Sequence, residues 1–135
     1  ARAAAYDRWR WASVYLCNTI VNKLAADGYD IILGTTGTSA SVKFIYQAAH
    51  NAGYQSQLII CHASEDTRIE STQKRFVEER RFIPIEDVKK KGNEMFPAVV
   101  DVHFAHAQNI AILWRQGRDS APVVAATLDQ QSMTV

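Results

Sequence analysis

The residues with the most chemistry in them form one short run, Gly34-Thr35-Thr36-Gly37-Thr38-Ser39. Glycine lets backbone come close to a ligand, and the hydroxyls of Thr35, Thr36 and Thr38 offer hydrogen bonds. A helix opening at Ser39 or Ala40 would add an N-terminus that favours an anion. The run is not a Walker A loop, because no Gly-Lys-Ser/Thr closes it. A plain turn with Ser39 as N-cap accounts for the same residues. A second group is cationic: Arg68, Lys74, Arg75, Arg80 and Arg81. Guanidinium forks suit phosphate oxygens, so a basic lid over phosphates is one reading. Composition favours the other, a solvated helix face with pairs such as Glu70–Lys74. His103 and His106 stand one helical turn apart, where packing or surface roles are expected before metal ligation. His62 closes an apolar run and could touch a ligand there. Cys17 and Cys61 each sit in an apolar run with no metal spacing, which predicts two buried, reduced thiols and suits a cytoplasmic protein.

Elements that would position these groups can be read from pattern. Arg2 to about Ala26 is helical by propensity, with Trp9, Leu16, Ile20 and Leu24 near helical spacing. The aromatic cluster Tyr6, Trp9, Trp11 and Tyr15 is expected to pack in the core. Asp27-Gly28 stops the helix. Ile31-Ile32-Leu33 has the look of a strand buried on both faces of a parallel sheet, so the threonine loop would lie at a strand's carboxyl end, where α/β proteins bind ligands. A helix over 41–52 with stop Gly53 and a buried strand over Gln57–His62 complete an expected strand–helix–strand crossover. Ser64 caps a helix to about Glu79, with Glu65 and Asp66 on its positive end. Pro84 restarts a helix, expected to reset near Gly92, and Pro97 would open another over Ala98–Ala107. Strands are expected at 109–114 and 122–127 around a turn at 116–120, before a frayed tail from Asp129.

At 135 residues, 47% hydrophobic and 21% charged, the chain suits one domain with a core. A net charge of +1 gives no global pull towards nucleic acid or a membrane surface. No apolar stretch reaches membrane-spanning length. The opening Ala1-Arg2-Ala3-Ala4-Ala5-Tyr6 reads as a cut inside or just before a helix, so the chain is expected to be part of something longer.

The order of features resembles the carboxyl-terminal portion of the zeta toxin family. The run Gly28 to Thr36, the helix ending Ala52-Gly53-Tyr54, Thr72-Gln73-Lys74-Arg75-Phe76, and Arg81-Phe82-Ile83-Pro84-Ile85-Glu86 carry the likeness. The strand and turn from Ile110 to Ser120 add to it. That family comprises P-loop small-molecule kinases, which in well-studied members phosphorylate UDP-N-acetylglucosamine. The resemblance implies an α/β, parallel-sheet, P-loop-kinase-like three-layer fold, incomplete here, with residues 1–135 forming a single partial domain. It implies that Arg75 and Arg81 hold nucleotide phosphates during transfer, that Thr35, Thr36 and Thr38 contact the nucleotide-sugar substrate, and that ATP and Mg2+ are used. An antitoxin or another protein partner is also implied, alongside the small-molecule acceptor; no nucleic acid and no membrane are expected.

Departures accompany the likeness. Leu33 and Gly34 stand where the family carries a carboxylate, and no acid lies between Asp7 and Asp27, where it often has a substrate-binding glutamate. No Gly-x-x-x-x-Gly-Lys-Ser/Thr occurs in the sequence, so this chain alone is expected to be an inactive fragment of such a kinase. The alternative is a degenerate non-catalytic module for nucleotide binding or protein interaction, which an exposed apolar first helix would favour.

Overall fold

The computed structural model describes residues 2–39 and 41–129. Ala1, Ala40 and the tail beyond Asp129 lie outside them. The architecture is mixed α/β, with a three-stranded sheet in the order β1-β2-β3. Strand β1 (Gln57–Ala63) pairs in parallel with β2 (Asn109–Arg115), and β2 pairs antiparallel with β3 (Val123–Asp129). The helices α3 (Glu65–Glu79) and α4 (Ile85–Ala98) lie on the connection from β1 to β2. The helices α1 (Arg2–Ala26) and α2 (Val42–Asn51) precede the sheet.

Local signals explain most boundaries. Gly28 and Gly53 both take φ +80, the left-handed conformation that ends α1 and α2. The Ser64 side chain accepts from the Thr67 amide at 3.3 Å and caps α3, with Glu65 and Asp66 in its first turn. The ion pair on this helix is Lys74–Glu78 at 3.6 Å rather than Glu70–Lys74. Both spacings put opposite charges one turn apart, and the lysine turns towards the later acid.

The core is one cluster of Ile60, Val99, Ala107 and Ile110, with Tyr46, Leu58, Met95, Ile112 and Leu128 packed against it. Along β1 the burial alternates: Ile60 is buried while Ile59 and Cys61 are exposed. Successive strand residues point to opposite faces, and only one face of β1 is covered. The expected double burial of this strand, and of the Cys61 thiol, is therefore corrected. Cys17 is exposed too.

Three further expectations change. Ile31-Ile32-Leu33 forms no strand: residues 29–38 are irregular and Ile32 is fully exposed. A strand exists through the ladder it makes with a neighbour, and no described strand lies beside this segment. The parallel crossover accordingly joins β1 to β2. The aromatic face of α1 is not core, since Trp9 is 64% exposed, Trp11 78% and Tyr15 75%. Trp9 and Trp11 point about 200° apart on a helix, so no single packing surface buries both. Full burial among the described side chains of α1 is confined to Val21 and Ala25, near its end. Finally, α4 runs unbroken through Gly92 and holds Pro97 in its last turn. Pro97 has no N–H for the turn before it, and the chain passes into a π-helical turn, Val99–His103, and a last α turn, Phe104–His106. No helix among the described residues is long and apolar enough to cross a membrane.

Candidate functional site

The threonine loop is tied down at both ends. At its start the Tyr54 hydroxyl, just past α2, stands 2.8 Å from the Tyr29 carbonyl and 3.2 Å from that of Ala25. At its far end Gly37 adopts φ +66, and its carbonyl lies 2.8 Å from His103 Nε2. His103 is 3% exposed, and its Nδ1 lies 2.8 Å from the Tyr46 hydroxyl. A carbonyl oxygen only accepts, so Nε2 carries the proton, and in the neutral ring Nδ1 accepts from Tyr46. The order of donation is then Tyr46 O–H to His103, and His103 N–H to Gly37. Burial pushes the Tyr46 phenol up to about 12, keeping it a donor over the neutral range. The His106 ring stacks on Tyr46 with centroids 5.9 Å apart. Both histidines thus have packing roles, as their spacing suggests, and His62 likewise packs on Trp114 at 5.2 Å.

Within the loop, the Gly37 amide donates to Thr35 Oγ1 at 3.2 Å. Thr35 and Thr36 are exposed, whereas Thr38 is half-buried. The Thr38 hydroxyl oxygen is buried and has no hydrogen-bond partner among the described residues, although Thr38 is near enough to Glu94 to favour its charged form. Lys91 donates to Glu94 at 2.7 Å and holds that carboxyl below the usual range. Helix α2 begins with Ser41 at its N-cap, without a side-chain cap bond; the Ser39 hydroxyl meets that of Ser41 at 2.8 Å.

The arginines lie on a different kind of surface. Arg75 is exposed on α3 and Arg81 is exposed beyond its end. Among the described residues neither has a hydrogen-bonding or ion-pair partner, while neighbouring charges do: Glu78 takes both Lys74 and, at 3.7 Å, Arg118. Arg80 caps α3 at φ 57, in the left-handed region. Its side chain, with Ala5, Tyr6, Phe76 and Phe82, lines an open recess of about 480 Å3. Phe76 and Phe82 meet edge to face at 5.8 Å. Tyr6 is held there by Arg10, over its ring at 5.7 Å, and Arg10 pairs with Asp87 at 3.2 Å.

The structure thus gathers the three threonines on one anchored loop and the two arginines at the end of α3. Among the described residues no hydrogen bond or ion pair joins the groups. Phosphate oxygens fit the free guanidinium forks of Arg75 and Arg81. Neither a P-loop in the sequence nor a cluster of three or more His, Cys, Asp or Glu among the described residues provides for the rest of an ATP–Mg2+ site. The pair of residues that pattern reading missed is Tyr46–His103. Tyr46 counts as one apolar position of α2, and nothing near His103 in sequence points to Gly37, 66 residues away.

A family model described as Zeta toxin matches residues 3–121 of the chain. No curated protein and no solved structure matches it.

Proposed function

This chain belongs to the zeta toxin family, and from that premise we propose that it is the acceptor-side and lid portion of a kinase. The kinase would move the γ-phosphoryl group of ATP to a small, nucleotide-sugar-like acceptor. Thr35 and Thr36, both exposed, face the acceptor with Thr38 beneath them, its hydroxyl buried, and Arg75 and Arg81 neutralise charge on the transferring phosphates. Phosphoryl transfer asks mainly for positioning and positive charge, and those are what these two groups can provide. The observation that carries the reading is that Arg75 and Arg81, the two arginines the family likeness picks out, are exposed and have no carboxylate partner among the described residues. Seven other lysines and arginines make ion pairs, whereas Arg8, Lys43, Arg68, Arg80 and Arg115, like Arg75 and Arg81, make none among the described residues. The 135 residues contain no P-loop to cradle ATP and its Mg2+. Transfer therefore needs a Walker loop from outside them, and the chain alone is inactive.

The test is ATP-dependent phosphorylation of UDP-N-acetylglucosamine by the whole gene product, beside its Arg75→Ala and Arg81→Ala variants. Transfer that survives both substitutions unchanged sinks the assignment. A second reading, a non-catalytic interaction module, is favoured by one observation: the large aromatic side chains Trp9, Trp11 and Tyr15 of α1 all stand in solvent. A whole product that binds no ATP and transfers nothing supports that module over the kinase.

A further inference from the structure

We propose that His103 is a positioning residue for the threonine loop, clamping the Gly37 carbonyl so that the exposed Thr35 hydroxyl keeps its proton for an acceptor oxygen of the substrate. The inference deepens the reading that this loop faces the phosphoryl acceptor, and rests on it.

Both backbone polar groups of Gly37 are engaged. Its carbonyl takes the His103 Nε2 proton at 2.8 Å, and its amide gives a proton to Thr35 Oγ1 at 3.2 Å. A threonine hydroxyl has one proton and two lone pairs. With one lone pair occupied by Gly37, Thr35 retains its proton for an outside acceptor. The ligand chemistry that suits this is an oxygen-rich, anionic molecule, such as the diphosphate of a nucleotide sugar. The ring and the loop are in direct contact: a Cβ on Gly37 would stand 3.1 Å from His103 Nε2.

The clamp is built from distant elements. Tyr46 on α2 fixes Nδ1, and the π turn Val99–His103 carries the ring itself. A π turn holds an extra residue relative to an α turn and rotates the residues after it to a new face; such turns are frequent at functional sites. Here it ends on the imidazole that reaches the loop.

The experiment compares His103→Gln, His103→Asn and Tyr46→Phe in the full chain. A glutamine amide nitrogen reaches the place of Nε2, whereas an asparagine reaches only that of Nδ1. Amide exchange at Gly37 should quicken roughly tenfold in His103→Asn and stay near wild type in His103→Gln, with amides of β1 and β2 unchanged in both. Affinity for UDP-N-acetylglucosamine should fall in the same order. Asparagine and glutamine acting alike at Gly37, or neither acting, overturns the clamp. Should both variants misfold, ring 15N shifts decide: wild type carries its proton on Nε2, and Tyr46→Phe lets the Nδ1–H form in. A wild-type ring with its proton on Nδ1 overturns the proposal. Failure of wild type to bind the nucleotide sugar, with the exchange pattern intact, defeats the substrate reading and leaves the clamp standing.

Discussion

The threonine loop and the arginine segment are opposites in how they are held. The loop has no regular secondary structure, yet Tyr54 anchors its start and His103 pins its end. Arg75 sits on a well-capped helix and Arg81 just beyond it, yet both guanidinium groups stand in solvent without partners among the described residues. Order of the backbone and order of the functional group are therefore separate properties here. The loop is held by contacts within the protein, so a ligand that used it would cost little further ordering. The arginines keep their rotamer freedom and lose it only against an incoming charge.

Identical glycine-to-alanine changes in the pinned loop and inside helix α4 give the largest contrast. At Gly37, φ +66 already costs an alanine about 1–2 kcal/mol, and the added Cβ presses on a ring whose two nitrogens are both engaged. Gly37→Ala should lower the urea midpoint clearly at an unchanged slope. At Gly92 the added Cβ would meet the Arg68 guanidinium, the far end of a flexible side chain. Alanine also gains up to about 1 kcal/mol of helix propensity inside α4. Gly92→Ala should shift the midpoint little, and an equal loss at both glycines would erase the difference between loop and helix.

A second, smaller effect belongs to the loop side alone. Burial raises the Tyr46 phenol from 10.0 to about 12 in the folded chain. Below pH 10 both states are protonated, and the contribution is fully present. Between pH 10 and 12 the unfolded state loses its proton first, so stability falls as pH rises. Unfolding followed from pH 9 to 12 should show this decline, and Tyr46→Phe should flatten it. A variant with the wild-type slope would mean that another group is responsible.

Much of this arrangement is legible in the sequence, and the illegible part has a common cause. The bounds of α1, the Ser64 cap and the strand 109–115 are set by residues within a turn or two of where they act. Ile31-Ile32-Leu33 has the right composition for a strand, but pairing needs a neighbour that local pattern does not name. Trp9, Trp11 and Tyr15 are apolar enough for a core, and only tertiary contact decides whether one forms over them. Of the candidate site, the threonine loop stands out by residue type, whereas Arg75 and Arg81 are separated from the other cations of their helix only by the family likeness. The tie that pins the loop, from His103 to Gly37, spans 66 residues and has no local signature. Pro97 signals an irregular helix, but the π turn after it, which brings His103 to the loop, is not readable from proline alone.

The smallest stability effect is expected at the arginines, and it completes the contrast. Arg75 and Arg81 are exposed and have no ion pair among the described residues, so Arg75→Ala and Arg81→Ala should each move unfolding by no more than about 0.5 kcal/mol. If the proposed phosphate contacts are made, their loss should register elsewhere, as weaker binding of ATP to the whole gene product with a reduced dependence on salt. Lysine is the sharper replacement: it keeps the charge and removes the planar fork. Binding restored by Arg75→Lys would reduce the arginine to a point charge on a solvated helix. Binding lost with lysine as with alanine would assign it the bidentate grip on phosphate that its freedom from protein partners permits.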